Sequence, residues 1–484
     1  MRKALTANGI YAIGSLANSA ALFLLIPFLV NNLTVDEYGA WSLLEIGILL
    51  FVMLALPGLE TALMRKFWSI EGDQKRIQLN STLFWFVMIW GGFLVLVGSA
   101  LAILFSASIT IPGSPVTIIL ALLAGHLEAL VGVLLTIFRV REEALKFSSL
   151  SILRMIVFII GSIILVWDGR GLTGAVLGRV IAGVIAIVVG ISIGFRNFAW
   201  SFSWASLLEM ARYGLPLLPT KGAQYVLQAS DRFVLRYFTD LSVVGIYSFA
   251  YKIAAGLDIL IIRPFAIDWG ARRFKIETYA DPSKHYARIL LIYTGISLFT
   301  ALILLSIVPE LYELLAPESY KAGMAVVPVI LAAYVIYGLA YPLNIGMMVR
   351  DKTVYSPIIG GIATIACIVL NLVLIPRFGM VGAAWATLIS YIIWTGGITL
   401  VSQYFYRVEY RFKEIFLLIV GTLIGYTGIW WIDQIGLGTN HFLLPFLIKV
   451  IWVLLIFLPI VYSILRMEGI RFRLPKFISP DRSI

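Results

Sequence analysis

Apolar residues run along this chain in long blocks separated by short polar stretches. A helix needs about 20 mostly apolar residues to cross a bilayer. Fourteen blocks reach that length, at roughly 8–31, 39–64, 79–106, 115–138, 147–167, 172–194, 211–235, 241–268, 286–308, 322–348, 354–375, 379–402, 413–432 and 441–465. They are far longer than the roughly 10-residue alternating segments of a membrane β-barrel. The pattern predicts an all-α polytopic membrane protein with fourteen transmembrane helices. The first block reads as a span rather than a cleaved signal peptide. It is long, carries Asn8 and Asn18, and has no clear small-residue cleavage site.

Composition agrees with this reading. Of 484 residues, 61% are hydrophobic and 13% charged, against about 45–50% and about 25% in soluble domains. Disorder is excluded, because disordered chains need low hydrophobicity. A single cysteine, Cys367, excludes a disulfide framework and Cys-based metal sites, and three scattered histidines argue against zinc. The net charge of +11 would suggest nucleic acid in a soluble protein. Here it follows the positive-inside rule. With the N-terminus in the cytoplasm, and with Arg212, Arg288 and Lys413 at the inner ends of their spans counted as inner, 26 of the 37 Lys and Arg fall in inner segments and seven within spans. Four, Arg170, Arg236, Lys321 and Arg377, fall outside. Both termini are therefore expected in the cytoplasm, and nucleic acid drops out as a partner. The outer loops are short, no insertion holds a nucleotide domain, and no Walker A motif occurs. Transport is favoured over an enzyme.

An internal repeat is legible. Leu33-Thr34-Val35-Asp36-Glu37-Tyr38-Gly39-Ala40-Trp41-Ser42 aligns with Thr239-Asp240-Leu241-Ser242-Val243-Val244-Gly245-Ile246-Tyr247-Ser248. Gly171-Leu172-Thr173-Gly174-Ala175 aligns with Gly379-Met380-Val381-Gly382-Ala383 at nearly the same offset. Duplicated halves are common in transporters. The expected organisation is an N-terminal six-helix lobe (1–194), an interfacial linker with Trp200 and Trp204 (195–212), and a second six-helix lobe (213–402). An extra pair of spans and a cytoplasmic tail follow (403–484).

The stretch Asn371-Leu372-Val373-Leu374-Ile375-Pro376-Arg377-Phe378-Gly379-Met380-Val381-Gly382-Ala383-Ala384-Trp385-Ala386-Thr387 resembles the signature of bacterial polysaccharide-biosynthesis flippases. So do Tyr213-Gly214-Leu215-Pro216, Asp231-Arg232, Gly245-Ile246-Tyr247 and Ala250-Tyr251-Lys252. These flippases belong to the multidrug, oligosaccharidyl-lipid and polysaccharide exporter superfamily. The resemblance implies two lobes in a V around a central cavity, in the bacterial inner membrane. It implies alternating access that carries an undecaprenyl-diphosphate-linked oligosaccharide to the outer leaflet, for O-antigen, capsule or exopolysaccharide assembly. The implied partners are that lipid-linked oligosaccharide, membrane lipids, a polysaccharide polymerase and other assembly proteins. The two extra spans resemble the pair that helps hold the prenyl tail in such flippases.

Polar residues inside spans are the candidate site, because an ionisable group at mid-membrane costs roughly 2.5–3.5 kcal/mol on insertion scales. On span 7, Lys221, Gln224, Tyr225, Gln228, Asp231 and Arg232 form one stripe at 100° per residue. Span 1 carries a milder set, Asn8, Tyr11, Ser15 and Asn18, of which Ser15 and Asn18 match Lys221 and Gln224 in the repeat. Lys252 lies near mid-membrane on span 8, whereas Arg263 is placed to snorkel. Arg154 and Arg179 add cations on spans 5 and 6. Lys221, Lys252, Arg154 and Arg179 are the candidates for contacting the diphosphate. The bland alternative for each is an ion pair with a carboxylate such as Glu128 or Asp258, and Glu60 is placed to pair with Arg65. The resemblance further implies a sodium site, with Asp231, Asn371 and Thr387 standing at similar places to the family's ligands. Such oxygens suit a hard cation, but a second carboxylate expected one turn after Asn371 is Ile375 here. A proton on Asp231, Asp258 or Glu128 serves coupling equally well. No other cofactor is expected. Two other transport readings stand beside this one: a cation-coupled exporter of small amphiphilic drugs, and a flippase for the peptidoglycan lipid precursor. Span 1 lacks the Asp often used by drug exporters, and the cationic stripes favour an anionic lipid.

Overall fold

A computed structural model describes residues 24–106, 111–113, 115–435 and 443–467. Every regular element among them is helical. Residues 24–32 form a helix that leads into α1 (Val35–Ala55) and the short α2 (Leu59–Phe67). Then come α3 (Asp73–Leu104), α4 (Val116–Val140), α5 (Ala144–Leu165), α6 (Gly171–Gly194) and α7 (Trp204–Gly214). They are followed by α8 (Leu218–Phe238), α9 (Leu241–Ala254), α10 (Arg263–Ile276), α11 (Pro282–Leu315) and α12 (Val327–Leu343). The last are α13 (Ile345–Val349), α14 (Tyr355–Phe405), α15 (Phe412–Ile435) and α16 (Leu443–Met467).

Among the described residues, ten helical stretches are long and apolar enough to cross a membrane. Two of them, 144–197 and 355–405, run for 54 and 51 residues. At about 1.5 Å per residue each is more than twice the roughly 30 Å hydrocarbon core. Both break at a glycine. Gly171 has φ 48° and ψ −133°, and Gly379 has φ 54° and ψ −133°. That region is essentially closed to residues with a Cβ. These two breaks fall where the sequence places the turns between spans 5 and 6 and between spans 11 and 12. The charged stripe of α8 keeps it out of the ten.

Local sequence explains the element ends. Thr34 caps α1 in a reciprocal box: the Glu37 amide donates to Thr34 Oγ1 at 3.2 Å, and the Thr34 amide donates to Glu37 Oε2 at 2.9 Å. The other Glu37 oxygen accepts from the Leu172 amide at 3.3 Å, which ties the start of α6 to α1. The segment after α6 is fastened to α3: Ser81 Oγ accepts from the Ala199 amide at 2.8 Å, and Thr82 Oγ1 accepts from the Ser203 amide at 3.1 Å. Trp200 stacks on Trp85, and both Trp200 and Trp204 are exposed, as suits an interfacial segment.

By packing, the chain divides into two compact units. One comprises residues 1–252, 312–326 and 357–390; the other comprises 253–311, 327–356 and 391–484. In the first, Leu83, Val87, Leu130, Leu134 and Phe138 lie in the core between α3 and α4. In the second, Trp269, Tyr286 and Leu290 join α10 to α11, while Leu302, Ile429, Val453 and Phe457 join α11 to α15 and α16. Many large apolar side chains, such as Ile89, Leu96 and Leu104, stay exposed along the long helices, as on a face meant for lipid rather than water.

The repeat has a structural counterpart within the first unit. A Cβ on Gly39 would run into the Leu241 carbonyl, and one on Gly245 would run into the Val35 carbonyl. Val35 and Gly39 are the repeat equivalents of Leu241 and Gly245. The contact is thus self-complementary, like an isologous interface within one chain. One turn further on, Ser248 donates to Ser42 Oγ at 2.8 Å, across a separation of 206 residues. The glycine turns correspond too: Gly174 and Gly382 lie against the carbonyls of Leu165 and Leu374.

Candidate functional site

The first unit carries most of the candidate residues. Pro216 lies in the turn before α8 and Pro219 in its first turn, and the stripe of α8 separates into two parts. Lys221, Gln224 and Gln228 are exposed, at helical spacing along one face. Tyr225 is half-buried and donates its hydroxyl to the Ile46 carbonyl of α1. Asp231 and Arg232 are buried. Lys221 forms no ion pair among the described residues; Glu60 of α2 lies within its electrostatic reach and that of Arg139. Arg65, the partner expected for Glu60, instead sits over the Tyr213 ring at 4.4 Å. Asn8, Tyr11, Ser15 and Asn18 lie outside the described residues.

Asp231 is held from two sides. Tyr247 of α9 donates to Oδ2 at 2.7 Å, while the Arg232 guanidinium lies 3.3 Å from Oδ1 and the Arg232 amide donates to that oxygen at 2.8 Å. Arg232 also stacks over the Tyr251 ring at 4.0 Å. Twenty residues after Arg232, Lys252 meets Glu45 Oε2 of α1 at 2.9 Å. Glu128 of α4 gathers two cations. Arg154 of α5 reaches Oε1 at 2.6 Å, and Arg179 of α6 reaches Oε2 at 3.6 Å. One Arg179 nitrogen, Nη1, is buried without a hydrogen-bond partner. Two guanidiniums on one carboxylate leave this cluster with one net positive charge. In the second unit, Asp258 pairs with Arg263 at 2.7 Å.

The ion-pair alternative therefore holds for Arg154, Arg179 and Lys252 but not, among the described residues, for Lys221, and Lys252 takes a carboxylate that was not named for it. Glu128 takes both arginines and Asp258 takes Arg263, whereas Lys252 turns to Glu45. The repeat offset held the signal for this. Ser42 and Ser248 are 206 apart and touch, and Glu45 and Lys252, 207 apart, sit one turn along the same pair of helices. Tyr247, the buried donor to Asp231, was legible only as part of the repeat and of a family block.

The sodium-type set is buried throughout: Asp231, Asn371 and Thr387 are each at most 2% exposed. Asn371 Nδ2 donates to Ser230 Oγ at 3.4 Å, which places it beside the residue preceding Asp231, and its Oδ1 accepts nothing. Thr387 donates along its own helix to the Ala383 carbonyl at 3.1 Å, leaving lone pairs free. Those two oxygens suit a hard cation. Asp231 does not, because both its oxygens are engaged and its charge is balanced by Arg232. The set does not fit a bare Na⁺.

These features define a multi-pass membrane protein of long apolar helices, on which most of the candidate charged side chains are paired. The structure resembles solved members of that class. The lipid II flippase MurJ, in an inward closed conformation, matches with a TM-score of 0.75 at 14% identity, over 95% of this chain and 99% of that one. The MATE transporter VcmN of Vibrio cholerae, in its bent form, matches with a TM-score of 0.53 at 12% identity, over 83% and 98%. A MOP superfamily transporter from Pyrococcus furiosus matches with a TM-score of 0.52 at 15% identity, over 82% and 93%. At such identities the likeness is one of fold. No curated protein matches the sequence. A family model described as polysaccharide biosynthesis protein matches residues 5–266, more than half of the chain. The chain belongs to the polysaccharide biosynthesis protein family.

Proposed function

We propose that this protein is a flippase that carries a polyprenyl-diphosphate-linked oligosaccharide from the cytoplasmic to the outer leaflet of the bacterial inner membrane by alternating access. The cargo would feed O-antigen, capsule or exopolysaccharide assembly, with a polymerase and other assembly proteins downstream. The chain crosses fourteen times in this reading, with both termini cytoplasmic, and the repeat lobes 1–194 and 213–402 enclose the path. The linker 195–212 rests at the interface, and the pair of spans after 402 holds the tail.

The observation that carries the reading is the Glu128 cluster in a chain of this family. A net positive charge is kept among membrane helices, with a buried, unpartnered Arg179 Nη1. Guanidiniums bind phosphate oxygens in bidentate fashion, so a diphosphate can take the place of Glu128 without new cations being brought into the membrane. Lys252 offers the same exchange against Glu45, and exposed Lys221, Gln224 and Gln228 supply donors for the phosphate and sugar. Tyr225, and Ser15 and Asn18 on the first span, belong to the same lining in this reading. Coupling to an ion gradient belongs to it as well, through a proton on a carboxylate such as Asp231, Asp258 or Glu128. The MurJ likeness makes the peptidoglycan precursor the second candidate cargo.

The test is transfer in proteoliposomes. Wild-type protein should move a polyprenyl-diphosphate oligosaccharide between leaflets, and Lys221→Ala, Lys252→Ala and their double mutant should impair it. Normal transfer by all three would remove these lysines from the path. Transfer of lipid II in preference to other oligosaccharide lipids would favour the second cargo.

A further inference from the structure

Beyond the diphosphate and Asp231 clusters, the second unit holds a polar group of a different kind. Lys449 of α16 is fully buried. Its ammonium lies 2.9 Å from Glu310 Oε1 of α11 and 2.7 Å from Asp433 Oδ1 of α15. The helices around it meet through an apolar cluster of Leu302, Ile429, Val453 and Phe457. Two carboxylates share one ammonium, so the triad carries one net negative charge when all three groups are ionised. A charge left uncompensated among apolar helices is strongly unfavourable. One carboxylate oxygen of the triad, Glu310 Oε2, is buried and has no hydrogen-bond partner. The Glu310 side chain is 7% exposed, whereas Asp433 is 34% exposed and stands two residues from the end of α15. The group thus grades from an accessible carboxylate to a buried one. Among the described residues, the charged groups set against Glu310 are Lys449 from α16 and, through that lysine, Asp433 from α15. Glu313 on α11 itself is exposed. Pro309, immediately before Glu310, denies the Leu305 carbonyl its usual helical donor, so α11 is locally weakened at this point.

We propose that Glu310, Asp433 and Lys449 form a proton-binding site. A proton enters past Asp433 and settles on Glu310 Oε2, and the triad becomes neutral with Lys449 still charged. The site shares no residue with the Asp231, Asp258 and Glu128 clusters. Its role as the coupling site rests on the flippase reading, but its existence does not.

Infrared difference spectra of the purified full chain, recorded as the pH is lowered, test the site directly. Among the carbonyl bands of protonating carboxyl groups, wild type should develop a component band that Glu310→Gln lacks, with the variant keeping the wild-type unfolding temperature. If Glu310→Gln does not fold, Glu310→Gln with Lys449→Gln removes the closest pair together and should lose the same band. Persistence of the band in the folded variant overturns the proposal. In proteoliposomes, Glu310→Gln should lose stimulation of lipid-linked oligosaccharide transfer by a pH gradient yet keep exchange without one. Undiminished stimulation overturns the coupling role. If wild type transfers no oligosaccharide lipid, the flippase reading fails, and the infrared band still decides the proton site.

Discussion

Lys252 and Glu45 allow the structural and transport roles of an intramembrane charge to be separated. Lys252→Met would leave the Glu45 carboxylate, whose side chain is 10% exposed, without the ammonium now 2.9 Å away. Breaking a fully buried pair costs about 3–5 kcal/mol. Lys252 is itself 29% exposed, so screening reduces the expected loss to about 1–3 kcal/mol. Glu45→Gln should cost less, because the lysine is the more accessible partner and its long stem can carry the ammonium towards water. The double variant Glu45→Gln with Lys252→Met removes both charges and should be more stable than the sum of the single losses predicts. A coupling of about 1–3 kcal/mol is expected, within the range for residues in contact. Thermal unfolding of the full chain in detergent would measure it. Single effects that add in the double variant to within about 0.5 kcal/mol would refute the pairing. The recovered double variant then reports on transport alone. It should be folded yet slow at moving a diphosphate lipid.

The glycine contacts make a second prediction. Gly39→Ala and Gly245→Ala each press a Cβ onto a backbone carbonyl and should destabilise by about 1–3 kcal/mol or more, whereas Gly47→Ala, with nothing within 4 Å, should be near neutral; equal unfolding temperatures for all three would contradict the close approach. At the turns, Gly171→Ala and Gly379→Ala should each cost about 1–3 kcal/mol because of their backbone conformation, against a neutral Gly361→Ala, and expression with unfolding temperature would check it.

The helices and the repeat were readable because both are written in local or periodic terms. A span is a run of about 20 apolar residues whatever surrounds it. Gly171 and Gly379 mark their turns through a conformation that only glycine adopts easily. The polar stripe of α8 was likewise visible as a 3.6-residue period. What periodicity could not say is which part of that stripe faces outward. Lys221, Gln224 and Gln228 are exposed, while Asp231 and Arg232 are spent on each other, on Tyr247 and on Tyr251.

By itself, then, the sequence determined a membrane protein of long helices, the related segments of its repeat, and many of the charges that oil would not tolerate unpaired, though not Glu45, Glu310 or Lys449. Tertiary structure decided the pairing. Glu45 reaches Lys252 across 207 residues, Glu128 gathers Arg154 and Arg179 from the next two helices, and Lys449 finds Glu310 139 residues away. The physical reason is that a charge in an apolar medium seeks the nearest opposite charge in space. Distance along the chain carries almost no information about which helices pack together.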